Sequence, residues 1–187
     1  GDTFTNAAAE FETTLEPQAI LRNLQKVESQ FGRDRAQVWG PRTLDLDLLY
    51  LGDLVVREDD LVLPHPHAWY RRFVLVPLCE IAPDFRHPVF QQTQAEFLRR
   101  IDLRPLEFQL IGCDIYSETL NDIARDFSDV KFDAPFLPDP ETGIIVCGKK
   151  STGVGENTPA VELTSLPGND LESLKGVLQA TMGTCSR

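Results

Sequence analysis

The sequence predicts an α+β fold in two parts, residues 1–105 and 106–187. Three observations carry that expectation. Apolar residues recur at helical spacing behind Pro17, they alternate with polar ones between Thr43 and Leu51, and beyond Leu103-Arg104-Pro105 short strand-like and helix-like runs interleave. With 187 residues, 42% hydrophobic and 25% charged, the chain suits one roomy domain or two small ones and is too apolar to be disordered.

Phe4 to Thr14 reads as an extended, strand-like segment ending at Leu15-Glu16-Pro17. Proline suits the first helical position, where its missing N–H would have no partner in any case. Ile20, Leu21, Leu24, Val27 and Phe31 then recur at helical spacing and Gly32 closes the run, which predicts an amphipathic helix over 17–31. Gln25 and Glu28 lie three apart on one flank of that stripe. An arginine-bearing loop over 32–42 follows. From Thr43 to Leu51, Leu44, Leu46 and Leu48 alternate with Asp45 and Asp47, the period of a strand. Gly52-Asp53 turns the chain into a short second strand around 54–56, and Leu61-Val62-Leu63 leads into an irregular Pro64-His65-Pro66-His67. A helix is expected over 73–81, stopped by Pro83, and another over 91–101 with Phe97, Leu98 and Ile101 as apolar contacts. Past 105 the expected order is strand 106–112, helix 117–127, strands 130–132, 143–147 and 160–163, and a closing helix 171–182. The stretch 135–159 is rich in Pro, Gly and Asp and reads as loop around one strand. This tail is a small second α/β unit.

The formal net charge of −11 argues against non-specific nucleic-acid or anionic-membrane binding, since both need a basic surface. No apolar run approaches the roughly 18 residues that a membrane helix needs. The basic residues are concentrated: residues 1–105 hold 12 of the 18, and 11 of those are Arg, so this part nets −4 against −7 for the tail. Cys79, Cys113, Cys147 and Cys185 are scattered singly, without metal-ligand spacing, which predicts buried thiols in a reducing cytoplasm. The chain opens Gly-Asp-Thr, without Met, directly before a strand-like segment, so a further upstream segment is expected.

The sharpest chemical feature is Arg42-Thr43-Leu44-Asp45-Leu46-Asp47. Residues i and i+2 of a strand point to one side, about 6–7 Å apart, and the leucines opposite fix that register. Paired hard oxygen ligands suit Mg²⁺, which takes one or two carboxylates plus substrate phosphates. A solvated polar face on an edge strand would carry the same pattern. Arg33, Arg35 and Arg42 precede the pair within 14 residues, and Arg71 and Arg72 follow Pro64-His65-Pro66. Guanidinium forks match phosphate oxygens, so metal acids with several arginines would make a phosphoryl-transfer site. Salt bridges on an acid-rich surface would use the same arginines.

Other features are weaker. Gly143-Ile-Ile-Val-Cys-Gly148-Lys149-Lys150-Ser151 nearly spells a phosphate-binding GxxxxGK[ST] loop. Lys150 occupies the Ser/Thr position, however, and the intervening residues read as a buried strand. His65 suits a phosphate hydrogen bond, while His67 and His87 read as surface residues. Trp39 either plugs a core gap or covers a ring-shaped ligand.

Five blocks occur in order: Phe4-Thr5-Asn6-Ala7-Ala8, Gly32-Arg33-Asp34-Arg35, Trp39-Gly40-Pro41-Arg42-Thr43-Leu44-Asp45-Leu46-Asp47, Pro64-His65-Pro66 and Arg71-Arg72-Phe73-Val74-Leu75-Val76-Pro77-Leu78. Together they resemble 6-hydroxymethyl-7,8-dihydropterin pyrophosphokinase, a folate-pathway family, over about residues 1–90. The resemblance implies a ferredoxin-like α/β sandwich, incomplete at its N-terminus. It also implies transfer of the β,γ-pyrophosphoryl group of ATP to a pterin hydroxymethyl oxygen, with release of AMP. Asp45 and Asp47 match the acids that hold two Mg²⁺ ions. Gln25, Glu28, Trp39, Arg42, His65 and Arg71 match positions that contact ATP or close over it. Phe4, Asn6 and Phe73 match the pterin pocket, and Arg33 and Arg42 match catalytic arginines of mobile loops.

The chain departs from the family in three places. The family's opening strand, first helix and following strand and loop have no counterpart, the Arg35–Trp39 segment is a residue short with Val38 in a usually basic position, and residues 106–187 are additional. Two readings follow: a Mg²⁺-dependent pyrophosphokinase, or a non-catalytic or truncated relative acting as a nucleotide- or pterin-binding or interaction module. In either, the tail is expected to serve structure or a protein or subunit contact.

Overall fold

The computed structural model describes residues 5–32, 44–111, 120, 123, 125–127, 129–133, 144–147, 158–162 and 170–182. The chain forms two compact units, one of Glu10–Pro66 and one of His67–Arg187 together with Gly1–Ala9. Helices and strands are mixed in it, as an α+β reading requires.

In the first unit, α1 runs Pro17–Gln30 with Pro17 in its first turn, and Gly32 closes it at φ +86°. That left-handed conformation is one that glycine adopts without cost. β1 (Val56–Arg57) and β2 (Val62–Leu63) form an antiparallel ribbon, Val56 opposite Leu63, closed by Glu58 and Leu61. The strand expected around 54–56 thus starts two residues later and ends one residue later. Two expected strands are corrected. Residues 5–14 and 44–50 lie in no strand, although the alternation survives in burial: Leu44, Leu46 and Leu48 are half-buried while Asp45 and Asp47 are exposed. Period-two patterning fixes which side a residue faces, but a strand also needs a paired neighbour. Among the described residues nothing pairs with 44–50 in a ladder.

In the second unit a 3₁₀ turn, Ala68–Tyr70, leads into α2 (Arg72–Ile81) and then α3 (Gln94–Asp102). Thr93 starts α3 with a reciprocal cap: its Oγ1 accepts the Glu96 N–H at 3.1 Å, and Glu96 Oε2 accepts the Thr93 N–H at 2.6 Å. β3 (Leu106–Ile111), β4 (Val130–Asp133), β5 (Ile144–Cys147) and β6 (Ala160–Glu162) form one parallel sheet in the order β4-β3-β5-β6, and α4 (Asp170–Met182) follows. Leu120, Ile123, Arg125 and Asp126 are helical, within the expected 117–127. The central position of β3 explains its near-continuous burial, since a parallel strand is covered on both faces. Its Leu106, Phe108 and Leu110 share one core with Trp69, Phe97 and Ile101 from before Pro105 and with Leu174, Val177 and Leu178 of α4.

His87 corrects a further expectation, because it is buried rather than on the surface. Its Nδ1 accepts the N–H groups of Val89 and Phe90, each at 3.2 Å, and its ring stacks on Phe90 at 4.3 Å.

Candidate functional site

The acid pair sits on the run that alternates in burial, so Asp45 and Asp47 are both exposed while the leucines between and beside them turn inward. α1 supplies the support. Its inward stripe follows the helical period through Pro17, Ile20, Leu24 and Glu28, and Val27 and Phe31, both expected in that stripe, are 37% and 57% exposed. A carboxylate at the end of an otherwise apolar stripe is costly unless it finds a donor. Glu28 finds one: its Oε1 accepts the backbone N–H of Leu46 at 2.9 Å, while Glu28 itself is only 2% exposed. Gln25, one turn earlier on the same flank, is half-buried.

A second tether holds the other end of the run. The His65 backbone N–H donates to Leu49 O at 2.9 Å, directly after the buried Leu63 and Pro64. The structure therefore brings Glu28, the Asp45-Leu46-Asp47 run and His65 together within one compact unit. Such a segment can present two carboxylates in a fixed relation. Among the described residues no group of three or more His, Cys, Asp or Glu converges to hold a metal ion alone. Two exposed carboxylates fit the other arrangement, in which a divalent cation takes its remaining oxygens from water and phosphate.

Arg71 and Phe73 lie in the second unit, where Arg71 caps α2 and its guanidinium carbon stands 5.8 Å from the Phe73 ring centroid. Burial pushes the Tyr70 hydroxyl above its ordinary pKa, and the charge and hydrogen bond of Arg71 partly oppose that shift. The neighbouring arginine is engaged differently, since Arg72 pairs with Asp102 of α3. Asn6 is exposed and lies in no helix or strand. Phe4, Arg33, Arg35, Trp39 and Arg42 fall outside the described residues. Cys79 is half-buried, and burial raises its thiol pKa, which makes it a poor nucleophile at neutral pH.

Sequence reasoning missed the partners rather than the principals. Nothing in the spacing pairs Glu28 with Leu46, because that contact joins positions 18 residues apart. The one available signal was a Glu in register with an apolar helical stripe. Asp102 beside Arg72 was equally silent, as that pair depends on the packing of α3 against α2.

Residues 1–83 match the family model for 7,8-dihydro-6-hydroxymethylpterin-pyrophosphokinase. A 2-amino-4-hydroxy-6-hydroxymethyldihydropteridine pyrophosphokinase of Synechocystis is 42% identical over 99 residues, covering 53% of this chain and 51% of that protein. Its namesake in Haemophilus influenzae is 45% identical over 85 residues, covering 46% of this chain and 53% of that protein. The Aquifex aeolicus enzyme of the same name is 38% identical over 102 residues, covering 54% of this chain and 64% of that protein. The chain thus spans about half the length of most of these relatives. The likeness read in the sequence is shown for that stretch.

Proposed function

We propose that this chain, similar over residues 1–83 to the 7,8-dihydro-6-hydroxymethylpterin-pyrophosphokinase family, carries the metal- and phosphate-binding part of such an enzyme. The reaction would transfer pyrophosphate from ATP to the hydroxymethyl oxygen of 6-hydroxymethyl-7,8-dihydropterin. The oxygen attacks the β-phosphorus, the bond from that phosphorus to the α,β-bridging oxygen breaks, AMP departs with the bridging oxygen, and the hydroxyl proton is lost to solvent. The observation that carries this reading is the Asp45-Leu46-Asp47 run, exposed at both acids and tethered through Leu46 and Leu49.

In this reading Asp45 and Asp47 hold two Mg²⁺ ions, which neutralise charge on the transferring phosphates. Gln25, Trp39, Arg42, His65 and Arg71 contact ATP or close over it, Glu28 supports that set through its bond to Leu46, and Arg33 and Arg42 stabilise the reacting phosphates. Phe4, Asn6 and Phe73 receive the pterin, Phe73 by stacking. The ferredoxin-like sandwich belongs to the same proposal, as does a cytoplasmic setting. Among the described residues no helix is long and apolar enough to cross a membrane. In the same proposal residues 1–105 form the pyrophosphokinase-like part, and residues 106–187 serve structure or a subunit contact.

The test is AMP formation from ATP and Mg²⁺, dependent on the hydroxymethyl dihydropterin. Asp47→Ala is expected to lower turnover by at least on the order of 10²-fold with the far-ultraviolet dichroism unchanged. Undiminished turnover in that variant overturns the metal assignment. Binding of MgATP without any turnover in the wild type would favour the non-catalytic binding relative.

A further inference from the structure

We propose that Glu28 is a positioning residue for the acid pair: its buried carboxylate fixes the peptide between Asp45 and Leu46, and so sets how Asp45 and Asp47 converge on a divalent cation carried with a nucleotide's phosphates. The inference rests on the pyrophosphokinase reading for the identity of that ligand.

The argument starts from the peptide bond. A peptide is planar, so a hydrogen bond that holds the Leu46 N–H fixes the orientation of the whole unit linking Asp45 to Leu46. Glu28 Oε1 does this at 2.9 Å from a helix that is itself anchored by Pro17 and Ile20. Asp47 then lies between this tether and the second one, where the His65 N–H meets Leu49 O at 2.9 Å. The acids need such support. Like charges two residues apart repel, and no ladder among the described residues restrains residues 44–50.

Position also separates this role from direct contact with a nucleotide. Glu28 is 2% exposed, whereas Asp45 and Asp47 are exposed. A charge that touches phosphate-bound metal needs access to it, while a charge that holds a backbone N–H needs shelter from water. The shelter is what the structure shows. Groups of this kind, which orient metal ligands without touching the metal, typically cost about 10- to 100-fold in metal affinity when removed.

The experiment compares the wild-type chain with Glu28→Leu, which removes the acceptor, and Glu28→Gln, which keeps a carbonyl oxygen in its place. Two quantities are read: hydrogen-exchange protection of the Leu46 amide without ligand, and Mn²⁺ affinity in the presence of ATP, by electron paramagnetic resonance. The expected result is loss of Leu46 protection and an Mn²⁺ affinity weakened about 10- to 100-fold in Glu28→Leu, with most of both recovered in Glu28→Gln. Retained Leu46 protection in Glu28→Leu overturns the proposal. So does equal weakening in both variants, because that would assign the effect to the charge of Glu28 and not to its hydrogen bond. If the wild type binds Mn²⁺ with ATP and Glu28→Leu binds it equally well, the positioning role fails alone. If the wild type does not bind Mn²⁺ with ATP at all, the pyrophosphokinase reading fails and takes the positioning role with it.

Discussion

His87 shows how a single side chain can tie stability to pH. Burial drops its pKa from 6.5 to about 4, and its Nδ1 is committed as an acceptor to two backbone N–H groups. Since Nδ1 accepts, the ring proton sits on Nε2, and a second proton would displace both N–H donors. The unfolded chain takes up that proton near pH 6.5 and the folded chain only near pH 4. Between those values the unfolded state holds more protons, so stability falls as pH is lowered through the window and is flat for this group above it. Converted in full, the shift corresponds to about 3 kcal/mol, an upper bound on what this group contributes. Urea-unfolding midpoints should therefore drop more steeply from pH 7 to pH 4.5 in the wild type than in His87→Gln, whose amide does not titrate. Parallel curves for the two proteins would contradict this account. Local sequence does not hint at it, because His-Pro-Val-Phe looks like a surface turn until Phe90 and Phe97 are seen closing over the ring at 4.3 and 5.8 Å. Asp45 and Asp47 were legible for the opposite reason. Their type and spacing carry the chemistry directly, with no long-range contact to guess.

Elements were legible where local rules suffice. Pro17 at the start and Gly32 at the end bracket α1 because both act through their own backbone angles. The start of α3 lay within reach of the same logic, since Thr93 and Glu96 have the spacing of a reciprocal cap. Glu96 is held below the ordinary carboxylate pKa first by the backbone N–H of Thr93 and then by its side chain. Thr93→Ala removes the hydroxyl acceptor and should cost about 1 kcal/mol, read as a lowered urea midpoint with an unchanged slope. An unaltered midpoint would mean that the packing of Phe97 and Ile101 alone starts the helix. Strands were harder, for a physical reason. The Leu-Asp alternation at 44–48 describes sidedness, which the burial confirms, but pairing depends on a partner far away in the chain. The same holds inside α1, where the stripe rotates to bury Glu28 and expose Val27 because the tertiary contact to Leu46 outweighs the average hydrophobic pattern.

At the scale of the molecule, the change of texture at Leu103-Arg104-Pro105 has a consequence that can be measured. α3 ends at Asp102 and β3 begins at Leu106, yet the apolar residues on either side close on one another. Trp69, Phe97 and Ile101 precede that point, and Leu106, Phe108, Leu110, Leu174 and Leu178 follow it, all in one buried cluster. Phe97, Phe108, Leu174 and Leu178 are fully buried, each of a size whose removal to Ala costs about 2–5 kcal/mol. A native domain holds only about 5–15 kcal/mol in all, so removing one whole side of such a core exceeds its margin. A chain ending at Arg104 should therefore keep helical far-ultraviolet dichroism but lose the near-ultraviolet signal of Trp69, bind a hydrophobic dye and unfold without a cooperative transition. A truncated chain that instead unfolds cooperatively with its near-ultraviolet spectrum intact would show that residues 67–104 complete their core without the sheet. The expected outcome would make the parallel sheet and α4 a structural requirement for the α2–α3 pair, and with it for the Arg71–Phe73 contact that α2 presents at its N-terminus.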